Sequence, residues 1–141
     1  MSNTVFTYGS LMCAEIMSAV CGYPLVGEPS MVDGFRRLSV TGEVYPGMIP
    51  RPGSEVSGIL YRGISGAALA RLDAFEGVYY RRQGVSVFTP PEGTLQAYCY
   101  VFRPQFYHLL GDEPWDFETF MKTGKARFES LFGATYRATE G

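Results

Sequence analysis

The sequence predicts a mixed α+β fold built on a strongly curled sheet or small barrel. Candidate strands follow one another mostly across turns, with few helices between them. The 17 glycines and 9 prolines cut the chain into short segments. A composition of 46% hydrophobic, 15% aromatic and 18% charged residues is that of a chain with a packed core. At 141 residues the chain is the size of one domain, read as 1–141 with 103–141 as a C-terminal helical extension. A chain this long buries on the order of two thirds of its unfolded surface, so its core needs no disulfide or metal staple.

Thr4 to Tyr8 reads as the first strand, rich in β-branched and aromatic residues and ended by Gly9. A helix follows, with Ser10 placed to cap it and Met12, Ile16, Ala19 and Val20 recurring at helical spacing until Gly22 and Pro24. Phe35 to Val40, Val56 to Arg62, Val85 to Thr89 and Leu95 to Phe102 read as further strands, separated by turn clusters such as PRPGS and TPPEG. Ser65 to Phe75 reads as a helix with Leu69, Leu72 and Phe75 on one face. A last helix, Trp115 to Phe132, carries Phe117, Phe120, Met121, Phe128, Leu131 and Phe132 as one apolar stripe. That stripe must be buried, against its own domain or a second chain.

Twelve basic against fourteen acidic residues give a formal charge of −2, a poor match to a phosphate-neutralising surface, so nucleic acid is not an expected partner. No apolar run approaches the roughly 20 residues that span a bilayer, and the N-terminus lacks the charged-then-apolar layout of a secretory signal. The expectation is a soluble, cytoplasmic protein with no membrane partner. Cys13, Cys21 and Cys99 are an odd number with no metal-ligand spacing, so they are expected to be reduced and mostly buried. His108, the single histidine, is expected at the surface.

Two constellations point to chemistry. In Tyr8-Gly9-Ser10-Leu11-Met12 a strand passes through glycine into a helix start, which brings free backbone N–H groups to one spot suited to an anion or a developing oxyanion. The plainer reading is a glycine turn and a serine cap. In Leu72-Asp73-Ala74-Phe75-Glu76-Gly77 a carboxylate ends a helix between a phenylalanine and a helix-stopping glycine. Burial there would raise the pKa of Glu76 above the usual value of about 4.3 and make it a better base. A solvated Glu76 with Gly77 as C-cap is the alternative. Tyr79, Tyr80, Tyr98 and Tyr100 fit core aromatics as well as ligand contacts.

The pairing of Phe6-Thr7-Tyr8-Gly9-Ser10-Leu11 with the run from Leu72 to Arg82 resembles the gamma-glutamylcyclotransferase-like superfamily. Gly34-Phe35-Arg36-Arg37, Val44-Tyr45-Pro46-Gly47 and Gly58-Ile59-Leu60-Tyr61 look like its middle section. The resemblance covers residues 4 to about 102, and the order and spacing of the motifs carry it. Glu113 to Glu118 looks like the plant avirulence-induced protein branch and its bacterial relatives.

The resemblance implies a small mixed β-barrel flanked by helices, whose cavity closes a gamma-glutamyl group to 5-oxoproline and releases an amine or amino acid. It places the catalytic glutamate at Glu76 and the substrate-gripping loop at Tyr8, Gly9, Ser10 and Leu11. Tyr45, Tyr80, Arg82 and Tyr100 are candidates for shaping the cavity, Arg82 equally for a surface ion pair. The α-amino nucleophile is already tethered to the γ-carbonyl, so intramolecular attack is favoured and no metal or cofactor is called for. The partner is then a small gamma-glutamyl molecule, and the chain itself is a monomer or a homodimer. A non-catalytic metabolite-binding or protein-interaction module on the same fold is the alternative. The enzyme reading requires the Glu76 carboxylate within roughly 10 Å of the Gly9 to Leu11 backbone, since one small substrate must reach both.

Overall fold

The computed structural model describes residues 2–130. Five strands form one curled sheet in the order β1-β3-β2-β4-β5, in which β1 also meets β5. β1 (Asn3–Thr7) lies antiparallel to β3 (Pro46–Ile64), with Val5 opposite Tyr61. β2 (Glu28–Ser39) and β4 (Tyr80–Thr89) complete the middle, and β5 (Gly93–Phe102) lies antiparallel to β4. The ladders β2–β3 and β4–β5 run along most of their strands. The two seams that join them are thin: β2 meets β4 at Met31 and Phe88, and β1 meets β5 in parallel at Val5 and Tyr98.

Alternation along the strands divides the core in two. Phe6, Met48, Leu60, Val87, Cys99 and Val101 pack together on one face of the sheet. Their neighbours Val5, Tyr61, Tyr100 and Phe102 point the other way, onto the helices. Gly58 stands where β3 crosses β1, and a Cβ there would run into the Thr7 carbonyl and the Phe6 ring.

β2 begins well before Phe35, and β3 runs straight through the PRPGS cluster that reads as a turn in the sequence. The cluster instead bulges: between the pairs Asp33–Glu55 and Phe35–Pro50, Gly34 alone faces residues 51–54. Partner hydrogen bonds on both sides of the bulge keep the strand going. The first helix is also divided. Ser10–Met12 is a 3₁₀ turn, extended Cys13 interrupts it, and α1 (Ala14–Cys21) starts afresh. Ser10 is therefore a buried turn residue rather than the cap of α1.

α2 (Gly66–Glu76) is capped by Ser65, whose hydroxyl accepts the Ala68 N–H at 3.1 Å. The C-terminal helix starts at α3 (Phe117–Thr119), widens into a π turn over Phe120–Gly124 and resumes over 125–130. The extra residue in the π turn rotates the helix, so Phe120 and Phe128 are buried while Met121 is exposed. Those two buried residues of the stripe lie against their own chain, where Phe120 packs on Trp115. Leu131 and Phe132 lie outside the described residues. All three cysteines are free and buried, and His108 is exposed. No helix among the described residues is long and apolar enough to cross a membrane.

Gly58→Ala is expected to cost about 1–3 kcal/mol through overpacking against main chain. Gly66→Ala, whose methyl meets open space at the start of α2, is expected to raise stability by about 0.4–1 kcal/mol. Urea midpoints of both variants against wild type check the pair.

Candidate active site

A cavity of about 290 Å³ opens where the end of β1, the start of β3, the end of α2 and the start of β4 converge. Its lining brings together Tyr8, Gly9, Ser10, Leu11, Tyr45, Glu76, Tyr80 and Tyr100, so the two distant motifs share one space. Arg82 is not among the lining residues. Its guanidinium pairs with Asp73 at 3.2 Å and lies over the Tyr98 ring at 4.8 Å.

Helical phase carries Glu76 inward: it follows Leu69 and Leu72 at i+7 and i+4, two residues of the buried stripe of α2. Gly77 then stops the helix, its N–H returning to the Asp73 carbonyl at 3.3 Å. Among the described residues no cation and no hydrogen-bond donor meets the Glu76 carboxylate. Burial alone therefore acts on it and pushes its pKa up to about 8. Burial also raises Tyr8, Tyr80, Tyr100 and Cys99, and the nearby Glu76 carboxylate adds to each rise. Tyr45 is pushed up to about 12, again by burial first, with Glu43 and Tyr79 adding to it.

The tyrosine hydroxyls have different duties. Tyr8 donates to the Tyr100 carbonyl and Tyr80 to the Pro46 carbonyl, both at 2.7 Å, which fixes the two rings as walls. Tyr100 donates to Asp73 Oδ1 at 2.6 Å, the oxygen that also faces Arg82 Nε. With its proton committed there, the Tyr100 oxygen keeps a lone pair for a donor in the cavity.

The Gly9 turn is held from behind. Met12 N–H bonds the Gly9 carbonyl at 2.9 Å and Cys13 N–H the Ser10 carbonyl at 3.1 Å, which leaves the Ser10 and Leu11 N–H groups without acceptors inside the turn. A Cβ on Gly9 would sit 2.8 Å from Pro46 Cδ, too close for any larger residue to keep the turn against β3. Arg37 donates to the Tyr8 carbonyl at 2.9 Å and the Ser57 carbonyl at 3.1 Å, and lies over the Trp115 ring at 5.4 Å. Arg37, Asp73 and Phe128 are among the residues that the sequence alone does not assign to the site, together with Phe75, Val78 and Tyr79 of the lining. Arg37 and Asp73 lie within the matching motifs, and Phe128, which lines the cavity, lies in the apolar stripe. The described residues contain no group of three or more His, Cys, Asp or Glu side chains placed to hold a metal ion.

A family model described as gamma-glutamyl cyclotransferase, AIG2-like, matches residues 5–117. The chain belongs to this family. AIG2-like protein D of Arabidopsis thaliana is 34% identical over 139 residues, spanning 92% of this chain and 91% of the relative. AIG2-like protein C of the same plant is 33% identical over 125 residues, 88% of this chain and 72% of the relative. Among solved structures, an Arabidopsis thaliana protein studied in solution superposes with a TM-score of 0.69 at 24% identity, over 100% of this chain and 86% of its own. A gamma-glutamyl cyclotransferase superposes with a TM-score of 0.62 at 20% identity, over 73% of this chain and 68% of its own. These structural likenesses establish the AIG2-like chain as sharing the fold of the gamma-glutamyl cyclotransferases.

The folded Glu76 carboxyl titrates near 8 against an ordinary value of 4.5, so between these values the native state holds a proton that the unfolded chain has lost. The stability this gives is complete below about 4.5 and is lost as pH rises through about 8. In urea titrations from roughly pH 5 to 9, Glu76→Gln should gain on wild type as pH rises; a constant difference would mean a solvated carboxyl. Arg37→Ala should lower stability by about 2–3 kcal/mol, the scale of hydrogen bonds to a charged group, read by the same titration at one pH.

Proposed function

We propose that this protein closes a gamma-glutamyl group to 5-oxoproline and releases the attached amine. The observation that carries the reading is a half-buried glutamate with no counter-charge among the described residues, sharing one small cavity with a turn whose leading N–H groups have no acceptor within the turn. The substrate's α-nitrogen attacks its own γ-carbonyl carbon, the new C–N bond closes the five-membered ring, and the C–N bond to the leaving amine breaks. Glu76 takes the proton from the α-nitrogen and returns one to the leaving nitrogen. A carboxyl group with a pKa near 8 suits both halves, since it sits close to neutral pH and to an α-ammonium group.

The Gly9-Ser10-Leu11 backbone offers donors to the substrate's α-carboxylate or to the oxyanion at the γ-carbon. Tyr8, Tyr45 and Tyr80 confine the glutamyl chain so that the nitrogen and the carbonyl stay within reach of each other. The Tyr100 oxygen accepts from the α-nitrogen. Arg82 acts one step away as a positioning residue, by holding the Asp73 carboxylate that takes the Tyr100 proton. The family match and the cyclotransferase fold support the reading.

Glu76→Gln should lower the rate of 5-oxoproline release by about 10² to 10⁴-fold while leaving affinity for 5-oxoproline nearly unchanged, because Gln keeps the shape but cannot accept the proton. The kcat/KM of the wild type should rise with pH to a limb near 8, as the carboxylate forms. The measurement follows 5-oxoproline from gamma-glutamyl amino acids and amines with both proteins. Equal turnover would remove Glu76 from the mechanism, and binding without turnover by either would make the fold a binding module.

A further inference from the structure

We propose that the leaving group is an uncharged amine with an apolar body, aromatic or branched aliphatic, seated on an outer wall formed by Phe75, Val78, Tyr79 and Phe128. The inference rests on the cyclotransferase reading above and specifies its substrate class. The cavity has two chemically different ends. Tyr8, Tyr80, Tyr100 and Ser10 are between 4% and 8% exposed and lie deep, with hydroxyls and backbone donors around Glu76. The opposite end is marked by Val78, which is 69% exposed and yet lines the cavity. Half-buried Phe75 and buried Phe128 also line the cavity, with ring centroids 6.0 Å apart, and Tyr79 is braced edge-on by Phe106 at 4.9 Å.

The glutamyl head brings an ammonium, a carboxylate and an amide, and these have partners only at the deep end. Ring closure there leaves one direction for the substituent on the leaving nitrogen, outward along the apolar wall. Among the described residues lining the cavity there is no arginine, lysine or histidine, and Glu76 is the single carboxylate. A gamma-glutamyl amino acid would set its second carboxylate against this wall, where the described lining residues offer it no cation. An ε-linked lysine would bring an ammonium and a carboxylate, and shedding their water without partners costs free energy that an apolar amine does not spend. Exposed Val78 and half-buried Phe75 and Tyr79 gain from covering by an apolar body, at roughly 25 cal/mol for each Å² removed from water, while Phe128 is already buried. The bonds exchanged are those of the cyclisation itself, and the leaving nitrogen departs with the proton from Glu76.

The test compares kcat/KM for 5-oxoproline release from gamma-glutamyl benzylamide, gamma-glutamyl methylamide, gamma-glutamyl phenylalanine and Nε-gamma-glutamyl lysine. The benzylamide should exceed the lysine conjugate by about 10- to 100-fold and should also exceed the phenylalanine substrate. Phe128→Ala should reduce the benzylamide-to-methylamide ratio by about tenfold, chiefly through KM. Since Phe128 also packs on Phe120, Val78→Ser serves as the second variant, at an exposed position that the fold does not need. It should reduce the same ratio, with unchanged thermal unfolding. A lysine or phenylalanine substrate turned over as well as the benzylamide, or a ratio unmoved by Val78→Ser, overturns the proposal and leaves the cyclotransferase reading standing. Absence of 5-oxoproline from every substrate overturns that reading, and the leaving-group assignment with it.

Discussion

One guanidinium group sets the geometry on which the cavity depends. Arg37 projects from β2, donates to the carbonyls of Tyr8 and Ser57, and stacks under Trp115, whose indole N–H bonds the Val44 carbonyl at 2.8 Å. Three separate parts of the chain are thus tied to a fourth. A planar group with five donors can do this, whereas an ammonium has neither the fork nor the flat face for the indole. Because the C=O and N–H of a trans peptide point in opposite directions, holding the Tyr8 carbonyl also fixes the Gly9 N–H on the far side. Burial lowers the Arg37 pKa, while Asp116 and Tyr8 favour the charged form. The C-terminal segment therefore supports the first turn of the protein.

The two carboxylates near the end of α2 have opposite fates, although only two residues separate them. Asp73 faces outward to Arg82 and the Tyr100 hydroxyl, so its charge is answered on two sides. Glu76 turns into the cavity among phenols and meets no cation among the described residues. A salt bridge at Glu76 would have stabilised the charged form and drawn its pKa down, away from neutral pH. Keeping Arg82 on Asp73 thus preserves the basicity of Glu76 and aims Tyr100 at the same time.

The local rules served well where the deciding interactions are close in sequence. Alternation in Val85–Thr89 and Leu95–Phe102, and the Leu69–Leu72–Phe75 spacing in α2, were legible because each side chain's face follows from the period of its own element. Glu76 was legible as a candidate from its motif, though its inward aim depends on helix phase. What stayed hidden is non-local. PRPGS has the composition of a turn, and only the β2 partner on both sides of it makes it a bulge. Met121 fits the apolar stripe of a regular helix, and a π turn rotates it into solvent. Arg82 shares a face of β4 with Tyr80 and stands opposite Tyr100, yet its pairing with Asp73 takes the guanidinium outside the cavity lining. Phe128 reaches the cavity from fifty residues beyond Glu76, a distance over which periodicity carries no information.

The thin seam between β1 and β5 gives the cavity a mechanical meaning. At Val5 and Tyr98 the main chains meet in parallel. Nearby, the Tyr8 hydroxyl on the Tyr100 carbonyl adds a side-chain bond across the same gap. The cavity spans this gap, with Phe6 to Tyr8 on one bank and Tyr100 on the other. The β1-β3-β2 unit and the β4-β5 hairpin thus form two halves of a shell whose latch is the candidate site itself. A molecule lodged there acts as a rivet: it favours the shut shell over the parted one, so occupancy and cooperative rigidity rise together.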